Sequence, residues 1–326
     1  MLYPHHMKKT RLAITTGDPS GIGAEIACRF ALSLTGSEDY EITLVSYEHI
    51  IRHTFQSVLK TDMPDISITE PDEKMDFPIE YGQIKPEYGK ASMLFVEKAV
   101  RMTQAGEADA VVTCPINKAS IKLGGYDFPG HTEFLGHLTR SRRFSMLMVG
   151  RNIRCVLATT HVPMEHLVEK LDEKAIMNAI LNADHAGQFF CGKRRPKIAV
   201  CGLNPHAGDN GALGDEETTL IAPVVDIAKA EGIDVDGPFP ADSLFVKAAE
   251  GKYDFVVVMY HDQGLIPVKL EAFGNAVNVT LNLPIIRTSV DHGTAFDIAG
   301  KGIAEHTSLK RACEVAAEMV KNAKSA

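Results

Sequence analysis

The chain has 326 residues, 45% apolar and 23% charged, with a formal net charge of −8. That is the make-up of a globular protein with room for two α/β domains, and its acidic surface disfavours nonspecific adhesion to nucleic acid. Six scattered cysteines form no C-x-x-C pair, and no apolar run approaches the roughly 20 residues that span a bilayer. A disulfide framework and a membrane anchor are therefore not expected, and a reducing cytoplasm is.

The first residues lack the apolar core of a signal peptide. Because Met7 precedes the first strand-like run, they read as an alternative start or a disordered end, which sets His5 and His6 aside as ligands. Residues 11–16 then read as a strand and 22–34 as a helix after a glycine-containing turn. A second strand at 41–46 precedes a helix over about 48–59, and 88–105 has helical periodicity before a short buried strand at 110–113. Strands at 144–149 and 153–159 flank a Gly-Arg-Asn turn, and 172–191 is a long helix with Asp172 as its N-cap. Further strands follow at 197–202, 255–260 and 276–281, with helices at 215–231 and 308–322. This alternation predicts right-handed βαβ crossovers and largely parallel sheets.

Three histidines stand directly after strands: His161 in Thr-Thr-His-Val-Pro, His206 in Leu-Asn-Pro-His-Ala-Gly, and His261 in Tyr-His-Asp-Gln-Gly. Open parallel sheets build ligand sites beyond the carboxyl ends of their strands. Three imidazoles converging there would leave one metal position open, as in catalytic zinc sites, although imidazole also suits cobalt and iron. Each alone is also an ordinary loop histidine. Asp262 adjoins His261 as an orienting or acid–base group. Asp242 is either a second acid–base candidate or a helix N-cap.

Thr16-Gly-Asp-Pro-Ser-Gly-Ile-Gly23 joins a strand to a helix, where backbone amides can approach an anion or cofactor. Gly17, Gly21 and Gly23 do not have the spacing of the dinucleotide fingerprint, and no Walker-type G-K-[ST] is present. Gly130-His-Thr-Glu133 opens another helix, so His131 and Thr132 can hold an anion or simply cap it. Lys269, Asn278 and Arg287 offer a point charge, an amide and a planar fork suited to phosphate and carboxylate.

The stretch Asp291-His-Gly-Thr-Ala-Phe-Asp-Ile-Ala-Gly-Lys-Gly-Ile-Ala304 resembles the adenosine-holding loop of isocitrate and isopropylmalate dehydrogenases. From about Leu12 to Val320 the chain resembles the 4-hydroxythreonine-4-phosphate dehydrogenase family. The motifs are the Thr16–Gly23 turn, Pro115-Ile-Asn-Lys118, Gly130-His-Thr-Glu133, Leu203-Asn-Pro-His-Ala-Gly208, Pro240-Ala-Asp242, Tyr260-His-Asp-Gln-Gly264 and Arg287-Thr-Ser-Val-Asp-His-Gly293. The stretches at 209–214 and 60–86 depart from the family pattern. The resemblance implies two α/β/α domains of isocitrate dehydrogenase type, residues 1–127 with 299–326 and residues 128–298, with the active site in the cleft between them. It implies His161, His206 and His261 as ligands of a divalent zinc, cobalt or magnesium ion. It also implies His131, Thr132, Lys269, Asn278 and Arg287 against substrate, and Gly17, Asp18, His292, Gly293, Thr294 and Ala295 against NAD or NADP. Asp242 and Asp262 are the candidate bases, and a homodimer shares the site. The implied reaction oxidises a phosphorylated hydroxy amino acid to a β-keto acid, which then loses carbon dioxide. Alternatives are a 4-phospho-D-threonate or 4-phospho-D-erythronate dehydrogenase, a metal hydrolase, or a noncatalytic phosphosugar-binding protein.

Overall fold

Short β-branched and aliphatic runs form eleven strands among the described residues of the computed structural model, which are 9–36, 38–192 and 195–325. His5 and His6 lie outside them. In chain order the strands are β1 (Thr10–Thr15), β2 (Tyr40–Val45), β3 (Ser67–Thr69), β4 (Ala110–Thr113), β5 (Ser145–Val149), β6 (Arg154–Leu157), β7 (Ile198–Cys201), β8 (Val235–Phe239), β9 (Phe255–Val258), β10 (Val277–Leu281) and β11 (Ile286–Val290). The chain divides into two compact units, Met1–Leu138 with Ile285–Lys321 and Thr139–Pro284 with Asn322–Ala326. The sequence reading puts the crossings at 127/128 and 298/299.

In the first unit the strand order is β3-β2-β1-β4-β11, parallel throughout. β4 is wholly buried, as a parallel strand covered on both faces must be. Helix Thr307–Ser325 buries one apolar stripe, whereas Gly23–Ser33 and Pro86–Gln104 are buried over most of their residues. The register places Thr15 opposite Thr113, and Thr113 opposite Ser289, so three hydroxyls form a row at the carboxyl ends of β1, β4 and β11.

In the second unit the order is β10-β5-β6-β9-β7-β8. β6, β9, β7 and β8 run parallel, while β5 is antiparallel to both β10 and β6. The core under these strands includes Met148, Cys155, Leu157, Ala199, Val256, Val258 and Val268. Helix Glu173–Phe190 starts where expected, with Asp172 accepting from the Ala175 N–H at 2.7 Å.

Two expected helices are interrupted. The one over 48–59 is α-helical only over Glu48–His53 and then widens over Thr54–Leu59, where the Thr54 hydroxyl donates to the Ile50 carbonyl. The one over 215–231 has a wide turn at Glu217–Ile221 before helix Ala222–Ala230, because Pro223 has no N–H to continue a regular ladder. Among the described residues no helix is long and apolar enough to cross a membrane.

Candidate active site

In the second unit His161, His206 and His261 follow the carboxyl ends of β6, β7 and β9. Two side chains tie these ends together. The Thr159 hydroxyl donates to the Met259 carbonyl at 2.6 Å, joining the segments after β6 and β9. The buried Gln263 amide accepts from the Met259 N–H at 2.8 Å and donates to the Gly202 carbonyl at 2.7 Å, joining the segments after β9 and β7. On this frame the His161 and His261 rings stand 5.6 Å apart between centroids. His261 opens helix His261–Ala272, and its Nδ1 pairs with Asp262 Oδ1 at 2.6 Å. That pairing fixes the tautomer and leaves Nε2 to face a ligand, the usual arrangement of a carboxylate-braced metal histidine.

His206 lies in the turn Pro205–Gly211, in which residues 206–210 all have positive φ between 42° and 79°. Left-handed backbone costs about 1–2 kcal/mol for an ordinary L-residue. Gly208 escapes that cost, and Asp209 and Asn210 tolerate it, but His206 and Ala207 bear it. Strain of this kind persists only where the surroundings over-determine it, and it concentrates at functional sites. Among the described residues no group of three or more His, Cys, Asp or Glu side chains is close enough to hold a metal ion. The structure thus brings His161 and His261 together and leaves His206 outside that pair.

Asp242 is exposed in the first turn of helix Ala241–Ala249, where its Oδ1 accepts from the Ser243 N–H at 2.7 Å. It therefore supports that turn, although the cap position itself is held by Pro240. Lys269 is exposed on helix His261–Ala272, and Asn278 is half-buried on β10 opposite Met148.

In the first unit the turn after β1 meets the loop after β11. Gly17 has φ +68°, and a Cβ there would lie 2.1 Å from the Pro115 carbonyl oxygen. The Asp18 N–H donates to that oxygen at 2.9 Å. Asp18 is fully buried. Its Oδ1 accepts from the Ser20 N–H and hydroxyl, while Oδ2 is buried without a hydrogen-bond partner. Burial pushes this carboxyl above the usual range. Gly21 lies against Thr294, whose carbonyl accepts from the Ile22 N–H at 3.0 Å. Two of the sequence-predicted cofactor segments are thus adjacent. His292 is half-buried with Nδ1 3.0 Å from the Gly293 carbonyl, a Cβ on Gly293 would meet open space, and Ala295 is left-handed at φ 43°. Buried Glu25 anchors the far end of the loop by accepting from the Ala304 N–H at 2.8 Å, and Arg29 donates to the Gly302 carbonyl.

Arg287 and His131 form the second cluster of this unit. Arg287, on β11, is only 2% exposed, and its Nη2 donates to Thr113 Oγ1 at 2.7 Å. Burial pushes the guanidinium down to about 9 while Glu133 pulls it up, so it remains a cation at neutral pH. His131 opens helix His131–Thr139, and Thr132 follows it, half-buried. The His131 Nε2 is sealed from solvent with no hydrogen-bond partner. Burial, reinforced by the Arg287 charge, holds its imidazole well below the usual range near 6.5. A neutral imidazole with an unsatisfied nitrogen beside a buried cation is a site for a hydroxyl or an anionic oxygen.

Sequence reading did not single out Thr113, Gln263 or Glu217. Thr113 fixes Arg287, and Gln263 ties the histidine-bearing segments. Glu217 is 3% exposed and holds the segment leading to His206. Only Gln263 carried a local signal, as the residue after His261-Asp262.

A family model described as pyridoxal phosphate biosynthetic protein PdxA matches residues 27–316. A curated 4-hydroxythreonine-4-phosphate dehydrogenase from Desulfosudis oleivorans is 41% identical, with 94% of this chain and 94% of that protein covered. A D-threonate 4-phosphate dehydrogenase from Cupriavidus necator is 45% identical over a shorter span, 73% of this chain and 72% of that one. The crystal structure of a 4-hydroxythreonine-4-phosphate dehydrogenase from Klebsiella pneumoniae superposes with a TM-score of 0.85 at 35% identity, covering 96% of this chain and all of the other.

Proposed function

From the membership of this chain in the PdxA family, to which it belongs, we propose that it oxidises 4-phosphohydroxy-L-threonine with a nicotinamide dinucleotide. The product, 2-amino-3-oxo-4-phosphooxybutanoate, is a β-keto acid that decarboxylates to 3-amino-2-oxopropyl phosphate. The observation that carries this reading is the 41% identity to a dehydrogenase of that name over nearly the whole of both chains. A second reading, oxidation of 4-phospho-D-threonate or 4-phospho-D-erythronate, is favoured by the 45% identity to the D-threonate enzyme. The two substrate classes share the phosphate and the oxidisable hydroxyl and differ in amine against hydroxyl.

The donor chemistry suits a divalent ion: His161 and His261 are neighbouring imidazoles, one braced by a carboxylate, and His206, which this structure leaves outside that pair, is the third ligand the family membership implies. Zinc, cobalt and magnesium are the candidates. A bound ion would polarise the substrate hydroxyl and the carbonyl it becomes, and bound NAD or NADP would accept the hydride. Arg287, held by Thr113, takes an anionic group of the substrate, and neutral His131 takes or gives one hydrogen bond through Nε2. Lys269, Asn278 and Thr132 complete the phosphate and carboxylate contacts. Asp262 is engaged with His261, so Asp242 is the freer carboxylate to receive the hydroxyl proton. On the cofactor side Gly293 faces open space, and Gly17, His292, Thr294 and Ala295 flank it as the further contacts expected of the two loops. The unsatisfied Asp18 Oδ2 suits a hydroxyl or amide donor better than a phosphate.

The partner is a second copy of the chain. Ile266, Leu270 and Phe273 form a stripe on and just past helix His261–Ala272, with Phe273 84% exposed, and a homodimer would cover it. The test follows nicotinamide reduction in metal-replete and chelated enzyme with 4-phosphohydroxy-L-threonine and 4-phospho-D-threonate in parallel. Metal-dependent turnover preferring the amino acid supports the first reading, and preference for the threonate moves the assignment to the second. Absence of turnover with either overturns both.

A further inference from the structure

We infer that Glu217 is a positioning residue for the metal site: its buried carboxylate holds the left-handed turn that presents His206. This rests on reading His206 as a ligand. Glu217 Oε1 accepts from the backbone N–H groups of Leu203 and Asn204, both at 2.7 Å, and Oε2 accepts from the Asn204 side-chain amide at 3.0 Å. The same Asn204 amide donates to Glu216 Oε2 at 2.6 Å, so two acidic side chains grip the residue two before His206.

Glycines on both sides admit the carboxylate. A Cβ at Gly202 would lie 2.9 Å from Glu217 Oε1, and one at Gly208 would lie 2.6 Å from Oε2. Gly208 is the third of the five left-handed residues, so the carboxylate abuts the turn both before and after His206. The arrangement answers the question of what over-determines the strained backbone at His206 and Ala207: a carboxylate with its acceptor positions committed to the segment that enters the turn. Glu217 does not contact substrate or metal in this account; it acts through the placement of one imidazole, as supporting groups of metal ligands do.

The test is direct divalent-ion affinity, read by cobalt absorption and by titration calorimetry, on the purified full chain in three variants and the parent. His206→Ala tests the ligand reading itself. Glu217→Ala is expected to weaken cobalt binding by about 10–100-fold, and Glu217→Gln, which keeps an acceptor for the two backbone N–H groups, by less. Combining Glu217→Ala with His206→Ala is expected to add no loss beyond His206→Ala alone, because both act through the same ligand. Where Glu217→Ala does not fold, Gly208→Ala, which drives a methyl group against the carboxylate, replaces it. Unchanged cobalt affinity in the Glu217 variants, with His206→Ala weakened, overturns the positioning role. Unchanged affinity in His206→Ala overturns the ligand assignment instead, so the two failures are distinguishable.

Discussion

Gln263→Leu isolates the connection between the segments that carry His206 and His261. The side chain is 9% exposed, and both ends of its amide are used, by the Met259 N–H at 2.8 Å and the Gly202 carbonyl at 2.7 Å. Leucine keeps the volume and removes both bonds, leaving one buried donor and one buried acceptor unsatisfied. Each such orphan costs about 1–3 kcal/mol, and the added apolar burial returns part of it, so a net loss of about 2–4 kcal/mol is expected. Against a domain stability of about 5–15 kcal/mol that is a large fraction. At about 2–4 °C per kcal/mol for a unit of this size, Tm falls by about 5–15 °C. Guanidinium unfolding reads the same loss as a lower midpoint with an unchanged slope. Gln263→Glu separates hydrogen bonding from packing, because it keeps the acceptor for Met259 and sets an oxygen against the Gly202 carbonyl. It should be at least as damaging as leucine. A midpoint for Gln263→Leu within about 0.5 kcal/mol of the parent, the range of a neutral surface change, would refute the reasoning.

Four further outcomes are expected. His131 has a depressed folded-state pKa, so on acidification the unfolded chain takes up its proton first. Its contribution to stability is therefore fully present above the unfolded value near 6.5 and is lost as pH falls below it. His131→Gln should flatten the dependence of unfolding free energy on pH between 5 and 7, and an unchanged slope would count against a buried neutral imidazole. Gly21→Ala puts a methyl 2.9 Å from the Thr294 side chain and should raise the dinucleotide KM by about 10-fold, equivalent to about 1.4 kcal/mol, with little change in kcat. Gly17→Ala, 2.1 Å from a carbonyl oxygen and left-handed, should instead lower stability by more than about 3 kcal/mol in denaturant unfolding. An unchanged KM in Gly21→Ala removes the Thr294 loop from the cofactor contacts. Phe273→Asp should shift the assembly toward monomer in sedimentation, and an undisturbed dimer would place the interface elsewhere.

What could be read from sequence follows a physical line. β1, β2 and β4 declare themselves because they are short runs rich in β-branched and aliphatic residues, and Asp172 declares itself because a cap acts on an N–H three residues away. β11 does not, because Ile-Arg-Thr-Ser-Val has the polarity of a loop. It is a strand because its backbone pairs with β4, and its buried polar side chains are satisfied there: Arg287 reaches Thr113, Ser289 reaches the Thr113 carbonyl and Thr288 reaches the Ala312 carbonyl. Helix His261–Ala272 is hidden by Gly264 and Pro267 in its interior and by apolar residues on both faces, one buried and one exposed. The turn at His206 is hidden more deeply, since Pro-His-Ala-Gly-Asp-Asn signals a turn but not five consecutive left-handed residues.

The candidate ligands were legible by type and by position after strands. The groups that hold them were not, because a holder is defined by its partner. Gln263 is an ordinary helix residue until its amide meets a carbonyl 61 positions away, and Thr159 is a strand-end threonine until it meets one 100 positions away. Glu217 sits closer, 13 and 14 positions from the N–H groups it accepts, but still beyond the reach of helical or hairpin spacing rules. A chain could therefore keep every candidate ligand and lose the site by changing only such residues. That is why the variants at Gln263 and Glu217 probe the site more sharply than further substitutions of the histidines themselves.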